Sequence, residues 1–398
     1  MSELTQRVEP AWGAVFSMTL GVLGLVTAEF LPASLLTPMA ADLGVTEGMT
    51  GQAVTVTAAI ALVTSLLISS VTRNIDRRYV LLGFSTLLIA SNLMVAFASN
   101  MTELLLARVL LGLALGGFWT MSIATMMRLV PDDLVPRALS IMFSGVSVAT
   151  IAAAPLGSYL GDIVGWRSVF QMAAGLGLIA LVVQFMTLPR MAPSGQTRLR
   201  TLYDVLMRPR VGLGMLAAAL VFTGHFAFFT YIRPFLEIVT GVGVNGVAGI
   251  LFGFGFANFL GNYLGGWMIE RNLRMTMIAM PLVMGVLGLS LVSTGSAPVL
   301  DALMVALWGM AFGAIPVAWS TWLTRTVPDE AESASGLLVA AINTAIASGA
   351  AMGGAIFDIS GVGNVFLASG GILLLAALLI LKGVRDAEAP GHSSPQGL

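Results

Sequence analysis

The sequence predicts an all-α membrane protein of twelve transmembrane helices, arranged as two pseudo-symmetric six-helix halves. Three observations carry this: a scarcity of charge, a train of apolar segments of membrane-crossing length, and an internal repeat relating the second half to the first.

Charge comes first. The chain has 398 residues, of which 57% are hydrophobic and only 10% charged, against about 25% charged in soluble proteins. So few charges cannot cover a water-facing surface of this size, so the outer face meets lipid. The formal net charge of −1 excludes the clustered basic surface that a nucleic-acid partner requires. Glycine is abundant, at 45 residues. In a bilayer, small residues let helix backbones approach closely, which replaces the missing hydrophobic drive. There is no cysteine, hence no disulfide frame and no thiolate metal site. Two histidines alone make no metal centre.

The apolar segments come next. A span needs about 20 mostly apolar residues. Twelve windows qualify: 14–36, 49–70, 79–97, 103–125, 139–161, 167–188, 212–236, 245–268, 276–294, 300–322, 333–355 and 364–382. Polar breaks such as Arg73-Asn74-Ile75-Asp76-Arg77-Arg78 and Pro131-Asp132-Asp133 separate them. The N-terminal stretch Met1–Pro10 lacks the basic region and cleavage site of a signal peptide, so the first window is read as a retained span. With both termini cytoplasmic, every Lys and Arg falls on the cytoplasmic side except Arg108, Arg167 and Arg233, the bias that orients membrane proteins. An odd number of spans would destroy it.

The repeat sets the division. LGLALGGFWTMSIATMMRLVPDD, from Leu111, aligns without a gap with WGMAFGAIPVAWSTWLTRTVPDE, from Trp308, pairing Gly112 with Gly309, Gly116 with Gly313 and Arg128 with Arg325. A second match pairs Asp162 with Asp358, Gly165 with Gly361 and Phe170 with Phe366. Parallel repeats of this kind mark one transporter architecture. The expected organisation is a six-helix half over 1–188, a cytoplasmic linker over 189–210, a second half over 211–383 and a polar cytoplasmic tail over 384–398.

These residues resemble the major facilitator superfamily, in its drug:proton antiporter branch. Arg108-Val109-Leu110-Leu111-Gly112 looks like that family's R-x-x-x-G element, Ala154-Pro155-Leu156-Gly157-Ser158 like its antiporter motif, and Gly165-Trp166-Arg167 like its start of span 6. The loop motif between spans 2 and 3 is degraded, with Ser69 and Arg73 in its Gly and Asp places; the second-half copy, Gly266 with Glu270-Arg271, is closer. The segments from Glu29 to Ala40, Asp76 to Val80, Gly112 to Trp119 and Phe226 to Pro234 resemble the family's bacterial purine ribonucleoside exporters. The resemblance implies proton-coupled antiport of inosine- and guanosine-type nucleosides across a bacterial inner membrane by a monomer, with the proton gradient as energy source and no cofactor. Relatives that export sugars share part of the Glu29 segment. Sugars or lipophilic drugs are therefore the alternative cargo, and a receptor or scaffold without turnover is the non-transport alternative. No P-loop and no nucleophile–base–acid set is present, so the chain is read as neither an ATP-driven pump nor an enzyme.

Several residues carry the candidate chemistry. Glu29 is the only acid deep within a span, and a charge there costs ~2.5–3.5 kcal/mol on insertion scales. A carboxyl neutral when sealed and ionised when water reaches it suits proton coupling; the alternative is a structural acid, permanently paired. Arg108 is its candidate partner, or else an interfacial residue clamping helices. His225 titrates near neutral pH, or is a packing residue. Trp119, Phe226, Phe229, Tyr231 and Trp319 offer rings that could stack on a base, although most aromatics in spans face lipid or pack. Asn258 and Asn262 share one helical face, and Asn343 lies inside span 11; each amide needs a partner, from cargo or from neighbouring helices. Arg233 is read as an interface anchor. His392 falls in the polar tail, read as disordered.

Overall fold

The computed structural model describes residues 10–131, 134–193, 204–208, 211–294 and 297–383. The tail over 384–398, most of the linker, and Arg7, Arg198, Arg200, Arg210, Arg385 and His392 lie outside the described residues.

Among the described residues the chain is helical throughout its spans. The first half comprises α1 (Trp12–Ser34), α2 (Leu36–Leu43), α3 (Glu47–Val71), α4 (Arg77–Phe97), α5 (Met101–Leu129), α6 (Val135–Val164) and α7 (Trp166–Thr187). The second comprises α8 (Val211–Thr230), α9 (Ile232–Ile238), α10 (Val244–Thr294), α11 (Pro298–Thr326), α12 (Ala331–Ser360) and α13 (Val362–Gly383). Eleven of these helices are long and apolar enough to cross a membrane. The 51-residue α10 breaks at Asn272 (φ −159°, ψ 94°), where the Asn272 side chain accepts the Met275 N–H at 2.9 Å and caps the helix that follows. Residues 244–271 and 273–294 are therefore two spans, which gives the twelve expected, although a turn of capped helix replaces the expected loop.

The windows mis-set two helix ends. Windows 14–36 and 212–236 each read as one span, yet the chain breaks at Leu35 and at Tyr231. Each break stands three residues before a proline, Pro38 and Pro234. A proline lacks the N–H that would bond the carbonyl four residues back and its ring crowds that carbonyl. The spacing that relates Asp162 to Asp358 also relates Leu35 to Tyr231 and Pro38 to Pro234, so the two breaks are pseudo-symmetric. The repeat pair Gly165 and Gly361 behaves alike: each follows its long helix with positive φ, 83° and 85°, a conformation glycine adopts without steric cost.

Within the first half α3 packs on α5, α1 on α6 and α7, and α4 on α5 and α7. Within the second, α8 packs on α12 and α13, and α10 on α11 and α13. The halves meet where α3 lies against α12 and α6 against α10. Glycines set these approaches: a Cβ on Gly255 would stand 2.6 Å from the Thr150 carbonyl oxygen across the α6–α10 seam.

Candidate functional site

The site lies between the halves, where the two broken spans face each other. A small cavity is lined by Glu29, Phe30 and Ala33 of α1, Val54 of α3, Phe226, Phe229 and Thr230 of α8, and Ile346 of α12. Phe30 and Phe229 meet edge-to-face across it at 5.3 Å. The repeat spacing relates Phe30 to Phe226 and Ala33 to Phe229, so both halves contribute the same turn of helix.

Glu29 is half-buried in this lining. No hydrogen bond or ion pair to it is present among the described residues, so the permanently paired acid considered from sequence is not what is seen. No salt bridge joins it to Arg108. The guanidinium is wholly buried within the protein. Its Nε donates to Thr57 Oγ1 at 2.9 Å and to the Ala53 carbonyl at 3.4 Å, and its Nη1 donates to the Ala28 carbonyl at 3.0 Å. Arg108 thus ties α5 to α3 and to the residue preceding Glu29, while Nη2 has no hydrogen-bond partner among the described residues. An ionised Glu29 would lie among apolar rings with no contacting counter-ion among the described residues.

His225 stands at the position pseudo-equivalent to Glu29, yet in a different setting. It is 2% exposed, lies stacked on Phe312 and accepts the Trp308 indole N–H on Nδ1 at 3.2 Å. With Nδ1 an acceptor, the neutral ring carries its proton on Nε2. His225 belongs to the interior of the second half, and the adjacent Phe226 and Phe229 reach the cavity.

The remaining candidates scatter. Tyr231 is buried at the end of α8, donating to the Ala350 carbonyl at 2.9 Å. Trp119 is partly buried and stacks on Phe143 at 6.0 Å. Trp319 is fully buried edge-to-face with Trp322, and neither indole N–H has a partner. Asn258 donates to the Gly309 carbonyl at 3.2 Å, whereas Asn262, one turn along, is exposed. Asn343 donates to Val339 O at 3.0 Å and leaves its Oδ1 unpartnered. Of the candidates, only Glu29, Phe226 and Phe229 line the cavity together. Sequence reasoning passed over Phe30, Ala33, Val54, Thr230 and Ile346. The paired prolines at repeat spacing are the signal that marks this level, since helices broken at corresponding positions flank midplane sites in transporters.

The chain matches the family model described as the Major Facilitator Superfamily over residues 18–341. It belongs to that superfamily. Among curated relatives it is 45% identical, over 94% of this chain and 95% of theirs, to the "Purine ribonucleoside efflux pump NepI" of Salmonella paratyphi B and, at the same values, to that of Salmonella typhimurium. Among solved structures it resembles a bacterial homolog of the human lysosomal transporter Spinster in an inward-facing, unoccupied conformation (TM-score 0.75, 16% identity, 96% and 99% of the two chains). It also resembles a D-xylose–proton symporter (TM-score 0.76, 15% identity, 95% and 99%). The protein is therefore a multi-pass membrane transporter of this superfamily and not an enzyme.

Proposed function

We propose that this transporter exports purine ribonucleosides in exchange for protons, with Glu29 as the proton-carrying group. The reading of mechanism rests on one observation: an acid without a hydrogen-bond or ion-pair partner among the described residues lines the cavity between the halves. The cargo class is carried over from the efflux pumps that are 45% identical over nearly the whole chain. Phe30, Phe226 and Phe229 supply apolar faces against which a purine can stack, worth roughly 1–3 kcal/mol per base in nucleic-acid binders. The cavity in its present state is too narrow for a nucleoside, so the halves part to admit one.

In this reading the two halves rock about the site. A proton arriving from outside neutralises Glu29 and favours outward release; its loss inside restores the cargo-binding form. Coupling arises because the two ligands prefer different states. The protein works as a monomer in a bacterial inner membrane, with both termini cytoplasmic, and takes its energy from the proton gradient alone. The end bearing Arg77, Arg128, Arg208 and Arg325 is then the cytoplasmic end, in keeping with basic residues staying inside. The test is uptake by proteoliposomes under an imposed pH gradient, comparing labelled inosine, arabinose and a cationic dye. Gradient-driven inosine movement that Glu29→Gln abolishes is the expected result. Movement of arabinose or dye alone overturns the cargo assignment, and pH-driven inosine movement by Glu29→Gln overturns the role of the carboxyl.

A further inference from the structure

The short helices that follow the two broken spans, α2 and α9, are pseudo-equivalent and begin just beyond Ala33 and Thr230 of the cavity lining, at the end away from the linker. Their polar side chains lock onto each other. Arg233 of α9 is only 4% exposed, which corrects its reading as a membrane-surface anchor. Its Nε donates to Glu237 Oε1 at 2.8 Å, and its Nη1 donates to the Ser34 carbonyl at 2.5 Å and to Ser158 Oγ at 3.3 Å. Glu237 in turn accepts the Thr37 hydroxyl proton on Oε2 at 2.6 Å. One cation–carboxylate pair from the second half, its cation buried and its carboxylate partly so, thus grips α1, α2 and α6 of the first. Alongside it, Thr46 donates to Asp358 at 2.9 Å, and Gly48 and Gly51 leave a notch on α3 that Asp358 and Tyr231 fill.

We infer that Arg233 and Glu237 form the latch that holds the outer mouth shut, and that their grip on Ser34, Thr37 and Ser158 must break each time the transporter opens outward. The reason is placement. Among the described residues, four of the five hydrogen bonds that join the halves at this end involve α9 or the Tyr231 that precedes it. In the three made by Arg233 and Glu237 one partner is charged, which makes each stronger than a neutral bond. Rocking the halves apart removes all of them at once. This rests on the transporter reading but does not depend on which cargo is carried.

The absence of cysteine allows a direct test. Val54→Cys places one thiol in the cavity beneath the latch. Its reaction with a membrane-impermeant maleimide is followed from the outer side of intact cells, and total labelling is read after detergent opening. Slow outside labelling is expected with the latch intact. Arg233→Gln and Glu237→Gln should each raise the outside rate about tenfold, the factor that loss of one hydrogen bond to a charged group supplies, while Arg233→Lys stays nearer the parent. Outside rates unchanged at normal total labelling would overturn the latch. If the Arg233 and Glu237 variants fail to insert, as reduced total labelling would show, Thr37→Val decides. It deletes one hydroxyl, and it should raise outside labelling severalfold; no rise overturns the proposal. Labelling needs no cargo, so a response without inosine transport keeps the latch and removes the cargo reading, and transport without a response does the reverse.

Discussion

Replacing Gly261 by Ala tests the helix packing on which both halves rely. Gly261 and Gly265 of α10 lie one turn apart and face Met310 and Ala314 of α11. Gly309 and Gly313 of α11 reciprocate against Phe254 and the Asn258–Asn262 turn. A Cβ on Gly261 would fall against the Met310 carbonyl oxygen, 2.6 Å from its carbon and 2.8 Å from its Cα. These are backbone atoms, so no side chain can swing aside, and the helices must separate by about 1 Å to restore ordinary contact. A gap of 0.5–1 Å already forfeits about a quarter to a half of each dispersion contact it opens, and overpacking of this kind costs about 1–3 kcal/mol. Ala also raises helix propensity by about 1 kcal/mol. Gly253 separates the two terms, because it sits on the same helix with nothing within 4 Å of its would-be Cβ. Gly253→Ala should therefore stabilise by up to about 1 kcal/mol. The difference between the two variants isolates the packing term, about 1–3 kcal/mol. Thermal unfolding in detergent, followed by tryptophan fluorescence, measures it. Equal shifts of the same sign in both variants would show that close backbone approach does not hold α10 to α11.

Further expectations follow from named contacts. Ser85→Ala removes the donor 2.6 Å from Gln184 Oε1 and leaves a fully buried amide oxygen short of a partner, a loss of about 1–3 kcal/mol; a melting temperature equal to the parent's would refute it. Arg208 grips Asp329 through two 2.8 Å bonds, and these bonds hold the Asp329 carboxyl below its ordinary value. A depressed carboxylate stabilises the fold above its unfolded value, about pH 4, and loses that contribution as the pH falls through the lowered one. Asp329→Asn should lower the melting temperature at pH 7, and the gap to the parent should close as the pH falls below the ordinary carboxylate range, with a smaller effect in high salt; a gap that stays constant on acidification would contradict this. Thr57→Val deprives Arg108 Nε of its 2.9 Å acceptor and should cost about 1.5–3 kcal/mol, as for bonds to charged groups, measured by the same unfolding assay.

Membrane depth was legible in the sequence. Hydropathy and length place twelve spans because every crossing segment must be apolar and helical in lipid, where an unpaired backbone group costs several kcal/mol. The repeat gave the pseudo-symmetry, seen again in the matching φ of Gly165 and Gly361. Glu29 stood out because a carboxyl at that depth is expensive. The direction in which each side chain points was not legible. In a soluble helix polarity marks the outer face, but here lipid-facing and core-facing residues are both apolar, so one sequence pattern fits Phe229 in the cavity, Trp319 in the interior of a half and exposed Phe256. Only the packing of α1 against α8 brought Glu29 to the seam between the halves and left its pseudo-equivalent, His225, enclosed by Trp308 and Phe312. Only the meeting of α9 with α1 and α6 buried Arg233. The sequence determined which residues cross the membrane and at what depth, because the bilayer imposes that on each segment alone. The tertiary structure decided which of them share a cavity, because that depends on how helices distant in the chain rotate against one another.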